Sequence, residues 1–126
     1  MKVAITTDKA PQAIGPYSQA IKTGDLIFFS GQIPLDPLTG ELVGTDIEQQ
    51  TRQVMHNMSG ALSGAGVGFD SIVKSTIYLT DLGDFYTVNA IYAEYIGDPA
   101  PARACVEVKG LPRGALIEIE WIATAD

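Results

Sequence analysis

The chain has 126 residues, of which 46% are apolar and 18% charged, values that suit one folded domain with a single core spanning 1–126. Its net charge is −7, and the eight lysines and arginines (Lys2, Lys9, Lys22, Arg52, Lys74, Arg103, Lys109, Arg113) are scattered, which argues against the positive face that nucleic-acid binding needs. No apolar run reaches the roughly 18 residues of a membrane span, the first residues lack a basic-then-apolar leader, and a single cysteine cannot close an intrachain disulfide, so a reducing cytoplasm is expected.

Lys9 to Pro16 holds two prolines and a glycine and reads as irregular chain leading into Tyr17-Ser18-Gln19-Ala20-Ile21. Thr23-Gly24-Asp25 is a turn into a second strand, Leu26 to Ser30, followed by the loop Gly31-Gln32-Ile33-Pro34. The first helix opens on the capping pattern Thr45-Asp46-Ile47-Glu48. Ile47, Thr51, Val54, Met58, Ala61, Leu62 and Ala65 recur along it at helical spacing, with His56 turned to solvent. Gly64 and Gly66 mark its end. A β-branched strand from Ser71 to Leu79 comes next. Asp81 or Asp84 is placed to cap a second helix, whose stripe is Phe85, Val88, Tyr92, Tyr95 and Ile96.

Two strands close the chain, and both carry charge inside apolar sequence. In the first, Pro101 to Val108, alternation puts Arg103, Cys105 and Glu107 on one face. In the second, Glu118 and Glu120 share a face opposite Ile117, Ile119 and Trp121. The order is β-β-α-β-α-β-β, an α+β domain with two helices on one face of a sheet. Several strands are apolar on both sides while two helices cover only one, so the other face is expected to be buried in a homo-oligomer.

A guanidinium and a carboxylate at one concave surface suit a small carboxylic acid: arginine grips the carboxylate in a planar fork, and the glutamate handles a water or a proton. Each residue also has a plainer reading. Arg103 is equally a strand arginine whose stem covers apolar surface. Glu118 and Glu120 read more simply as a salt-bridge partner of a lysine or as an outward polar strip on an edge strand, and a magnesium site built on the pair lacks a further carboxylate at ligand spacing. One histidine and one cysteine cannot make a zinc site within one chain. Cys105 has no histidine placed to activate it and reads better as a small buried residue than as a nucleophile. Ser30 and Gly31 at a strand end suit ligand approach or a simple turn. Tyr17 and Asn89 say little alone, and Arg113, in the loop from Lys109 to Gly114, reads as a solvated turn residue.

Taken together, Ala13-Ile14-Gly15-Pro16-Tyr17-Ser18-Gln19-Ala20, Ser30-Gly31-Gln32-Ile33-Pro34, Pro101-Ala102-Arg103 with Cys105-Val106-Glu107-Val108, and Ile117-Glu118-Ile119-Glu120 resemble the reactive intermediate deaminase (RidA, YjgF-like) family over essentially the whole chain. The resemblance implies a chorismate-mutase-like α+β fold with a mixed sheet, and a homotrimer with a pocket at each subunit interface. It also implies hydrolysis of 2-imino acids or their enamine tautomers, such as 2-iminobutanoate and 2-iminopropanoate, released by pyridoxal-phosphate enzymes. By position, Arg103 matches the carboxylate-binding arginine and Cys105 the residue whose backbone N–H holds the ligand. Glu118 matches the water-activating residue, while Tyr17, Ser30, Gly31 and Asn89 match pocket-lining positions. No metal or organic cofactor is implied. One departure is the short connection Ile96-Gly97-Asp98-Pro99-Ala100, where some deaminases have a longer loop with an aromatic residue. The competing expectation is a non-catalytic module that senses small carboxylic acids or holds partner proteins. The translation-inhibitor or ribonuclease activities described in the family sit poorly with the acidic charge.

Overall fold

The computed structural model describes residues 1–126. Its elements run β1 (Lys2–Ile5), β2 (Ala20–Thr23), β3 (Leu26–Gln32), α1 (Ile47–Gly64), β4 (Ile72–Leu79), α2 (Phe85–Ala93), β5 (Ala102–Glu107) and β6 (Ile117–Thr124). The strands form one mixed sheet in the order β1-β2-β3-β6-β4-β5. Only β4 and β5 are parallel, and α2 lies between them in sequence, because parallel neighbours need a crossover that a tight turn cannot supply. β1 is an addition to the expected order. It is four residues long, mostly exposed, and pairs at the sheet margin through Lys2↔Thr23 and Ile5↔Ala20, so it carries no burial alternation to betray it.

The β2–β3 hairpin closes through Gly24, whose φ of 57° is the positive value a type II′ turn requires at its first position. At the start of α1, Asp46 accepts a hydrogen bond from the Gln49 backbone N–H at 2.8 Å, and the Gln49 side chain accepts from Thr45 N–H at 3.0 Å. This is a capping box shifted by one residue from Thr45, with glutamine as the returning partner. Asp81 accepts from Gly83 N–H at 2.8 Å in the single turn before α2, while Asp84, at the N-cap, makes no side-chain cap bond. α2 stops at Ala93, so Tyr95 and Ile96 lie just beyond it, and Ile91 joins Val88 and Tyr92 on its buried side.

Both helices cover the face made by Ile27, Phe29, Ile77, Leu79, Ile117, Ile119 and Trp121. Trp121 stacks on Phe29 with ring centroids 4.6 Å apart. Burying each such aliphatic side chain contributes about 1.5–3 kcal/mol, and cutting one to alanine costs about 2–5 kcal/mol once the cavity is counted. The opposite face is open. It shows Leu26, Phe28 and Val106, the last two each 42% exposed, among Ile21, Tyr78, Ile122 and the two glutamates. No helix is long and apolar enough to cross a membrane.

Candidate functional site

The irregular chain before β2 is shaped by one buried side chain. Gln19 accepts from Thr7 N–H at 2.7 Å and donates to the carbonyls of Thr7, Ala10 and Pro11 at 3.0, 3.2 and 2.7 Å. Helix α1 lets this segment pass closely at Gly60, where a Cβ would stand 2.0 Å from the Lys9 carbonyl oxygen. The segment then presents Tyr17, whose hydroxyl accepts from Ile14 N–H at 3.2 Å. Ser30, where the β3–β6 register shifts, donates its hydroxyl to the Ser18 carbonyl at 2.6 Å. These contacts set the wall of a cleft of about 630 Å³ lined by Tyr17, Ser30, Gly31, Arg113, Glu118 and Glu120, among others.

Gly31 and Glu118 meet inside that cleft. A Cβ at position 31 would lie 2.0 Å from Glu118 Oε2, so only glycine leaves the carboxylate where it is. Glu118 is half-buried on β6, and burial, followed by the neighbouring Glu120 charge, holds its pKa above the ordinary glutamate value. Glu120 is exposed and accepts a hydrogen bond from the Tyr78 hydroxyl, which is pushed up to about 12 by that bond, by burial and by the two glutamate charges. The two glutamates therefore differ. Glu120 is tied to a phenol on the neighbouring strand, whereas the Glu118 carboxylate backs onto bare backbone.

Arg103 stands elsewhere. It lies on β5 level with Ser75, which is fully buried under α2, and its Nη1 donates to Asn89 Oδ1 at 2.7 Å. The guanidinium carbon is 5.2 Å from the Tyr92 ring centroid and 5.6 Å from that of Phe85. Cys105 follows on the same face. Burial pushes its thiol pKa up against the opposing pull of Arg103, which leaves it a poor nucleophile at neutral pH. Its backbone is better placed. Val108 N–H donates to the Leu79 carbonyl at 2.8 Å, and alternate residues of a parallel ladder bond the same neighbour. Ala104 and Val106 thus face β4, and the N–H groups of Arg103, Cys105 and Glu107 point out from the free sheet edge.

Within one chain the expected residues form two groups. Tyr17, Ser30, Gly31 and Glu118 surround the cleft, and Arg103, Asn89 and Cys105 gather at the β5 edge. Arg103 is level with Ser75 and Glu118 with Tyr78, three positions along the same strand, so the two project from opposite faces. Arg113 is exposed, as a turn residue should be, but it also lines the cleft in a left-handed conformation (φ 64°) and donates to the Gly40 carbonyl at 3.2 Å. Gln19 and Tyr92 shape the two groups, but the sequence marks Gln19 only as part of the stretch Ala13 to Ala20 and Tyr92 only as part of the second helix's buried stripe, with no site role for either. No three histidine, cysteine or acidic side chains converge as metal ligands.

A mixed sheet of this order, with both helices on one face and a carboxylate-lined cleft on the other, defines an α+β protein of the YjgF type. The chain belongs to the family described as Endoribonuclease L-PSP, the YjgF/RidA family, whose sequence profile matches residues 7–125. It is similar to a Rid-family protein of Yersinia pestis of unknown function, with 53% identity, TM-score 0.95, and 98% of this chain and 99% of that one covered. It is 46% identical over 123 residues to the 2-iminobutanoate/2-iminopropanoate deaminase of Mus musculus, covering 98% of this chain and 91% of that one. It also resembles E. coli TdcF with bound serine, at 39% identity and TM-score 0.90, over 97% of this chain and 98% of that one.

Proposed function

We propose that this protein hydrolyses reactive 2-imino acids, of the 2-iminobutanoate and 2-iminopropanoate kind, to 2-oxo acids and ammonia. Supporting this most directly is the Glu118 carboxylate, half-buried against Gly31 in a cleft walled by Tyr17 and Ser30. The deaminase relative and the serine-bound one indicate ligands of amino-acid size. The site is completed by a second copy that brings its β5 edge to the first copy's cleft. Arg103 then grips the substrate carboxylate, the Cys105 N–H donates a further hydrogen bond, and Asn89 steadies the guanidinium. The uncovered Leu26, Phe28 and Val106 supply apolar surface for that association, which we take to be a trimer.

The chemistry needs no covalent intermediate. Glu118 orients a water and accepts its proton as the oxygen attacks the iminium carbon, a role typically worth 10²–10⁴-fold in rate. The same proton passes to the nitrogen of the carbinolamine. As the C–N bond breaks, Glu118 takes the hydroxyl proton and passes it to the departing ammonia, so a 2-oxo acid and ammonium leave and the carboxylate is restored. A pKa raised above the ordinary glutamate value brings the base closer to neutral pH. Pyridoxal-phosphate enzymes that eliminate from amino acids would supply the substrate, and the cytoplasm is the compartment we assign.

RNA cleavage fits less well, because the net charge is −7 and two carboxylates line the cleft that would have to receive a phosphodiester. The test uses 2-iminobutanoate freshly generated by a threonine dehydratase. Faster ammonia release than in buffer supports the deaminase. Retention of 2-oxobutanoate with no change in the hydrolysis rate would establish a binding module in its place.

A further inference from the structure

Arg103 is held by one stripe of α2. Phe85, Asn89 and Tyr92 are spaced i, i+4 and i+7, so they line one side of the helix, and all three reach the guanidinium. Asn89 takes one N–H. The two rings lie within cation–π range and leave the remaining donors of the planar fork free. Tyr92 is itself fixed. It is 5% exposed, and its hydroxyl is 2.6 Å from Ser75 Oγ, which is wholly buried on β4. Ser75 is also the β4 residue level with Arg103, so strand register, hydroxyl pair and ring–guanidinium contact form a closed circuit.

An arginine at a sheet edge normally samples many rotamers, and a flexible fork binds a carboxylate poorly because its orientation must be fixed on binding. Ser75 and Tyr92 bond each other's hydroxyls although neither faces the cleft that holds Glu118. A phenylalanine at 92 paired with an alanine at 75 would fill the same core space. What the hydroxyl pair adds is a fixed ring plane under the guanidinium.

We propose that Tyr92 is a positioning residue: its ring, locked by Ser75, holds the Arg103 fork in the orientation that receives the substrate carboxylate. This rests on Arg103 being the carboxylate anchor. The experiment measures 2-oxobutanoate affinity by calorimetry for Tyr92→Leu in the wild-type and Arg103→Lys backgrounds, with circular dichroism and oligomer size as checks on folding. In the wild-type background Tyr92→Leu should weaken binding on the order of 10-fold. In the Arg103→Lys background, where no planar fork remains to be oriented, the same change should weaken it by less than about 3-fold. A merely structural role for Tyr92 would give equal losses in both backgrounds and overturn the proposal. Should Tyr92→Leu not fold, the volume-conserving pair Tyr92→Phe with Ser75→Ala replaces it. A loss of about 3-fold confined to the arginine background supports the proposal, and unchanged affinity overturns it. Arg103→Ala keeps the two ideas apart. If it binds 2-oxobutanoate like the wild type, the anchor assignment fails. If it loses binding while folded Tyr92→Leu does not, only the positioning role fails.

Discussion

Arg103 and Glu118 project from opposite faces of the same sheet. β4 fixes this, because its Ser75 is level with Arg103 and its Tyr78 with Glu118, and residues three apart in a strand point in opposite directions. Arg103 accordingly packs against α2, while Glu118 looks into a cleft on the uncovered side. The proposed anchor and the proposed base, so placed, cannot hold one small molecule from within a single chain, and this is why the proposed site requires two copies.

The contact between Gly31 and Glu118 gives the first prediction. In Gly31→Ala the new methyl occupies the place of the Glu118 carboxylate, and the flexible side chain swings away while the backbone stays. Thermal unfolding should shift by less than about 1 kcal/mol in stability, whereas imine hydrolysis should fall about 100-fold, as expected when a reacting group is displaced by around 1 Å. Equal activity in the variant would show that the carboxylate's position is not critical.

Glu118→Gln should leave 2-oxobutanoate affinity near normal and slow hydrolysis by about 10²–10⁴-fold, since the amide keeps the shape and loses the proton acceptor. Glu120→Gln should matter less, because Glu120 is already engaged by Tyr78. Cys105→Ala should retain most activity, its thiol being held protonated by burial. Loss of activity in Cys105→Ala together with a fully active Glu118→Gln would point to a covalent route through the thiol.

The raised pKa of Glu118 has two consequences of defined sign. As a base it works ionised, so kcat/KM should fall as pH drops through a value above the ordinary glutamate pKa of about 4.3. For stability, the folded state keeps a proton that the unfolded chain has already released between the two pKa values. The contribution is therefore fully present below the unfolded value and is lost as pH rises through the folded one. Denaturant titrations across this range should show a smaller decline for Glu118→Gln than for the wild type.

Association should depend on the open face. Sedimentation equilibrium at micromolar concentration is expected to give about three times the chain mass, and Phe28→Asp should shift it toward the monomer without unfolding the chain, because Phe28 is 42% exposed there. A wild-type monomer would remove the shared site.

Much of this was legible from residue order. The spacing of Val54, Met58, Ala61 and Leu62 marked α1, and the alternation of Ile117, Ile119 and Trp121 against Glu118 and Glu120 marked both faces of β6. The relation between Arg103 and Glu118 was not, because alternation assigns faces within a strand and only the register of β4 against both neighbours joins one strand's faces to another's. β1 escaped because an exposed four-residue strand has no hydrophobic period. Gln19 escaped because its weight comes from four hydrogen bonds to distant backbone, which no local pattern records.

Arg103→Ala should lose 2-oxobutanoate affinity by at least about 100-fold, since each charge-assisted bond of the fork is worth roughly 1.5–3 kcal/mol, and Arg103→Lys should recover it only in part. Calorimetry on both folded variants is the check.

The most direct test of the two-copy site mixes two inactive chains. Arg103→Ala and Glu118→Gln proteins are unfolded together and refolded at equal concentrations, and imine hydrolysis is compared with each variant alone. In a closed ring with random assortment, about one quarter of interfaces join an intact Arg103 to an intact Glu118, so activity should return to roughly 25% of the wild type. If hetero-oligomers form, shown by mass spectrometry, and activity stays at the level of the separate variants, Arg103 and Glu118 do not serve one site across a subunit boundary.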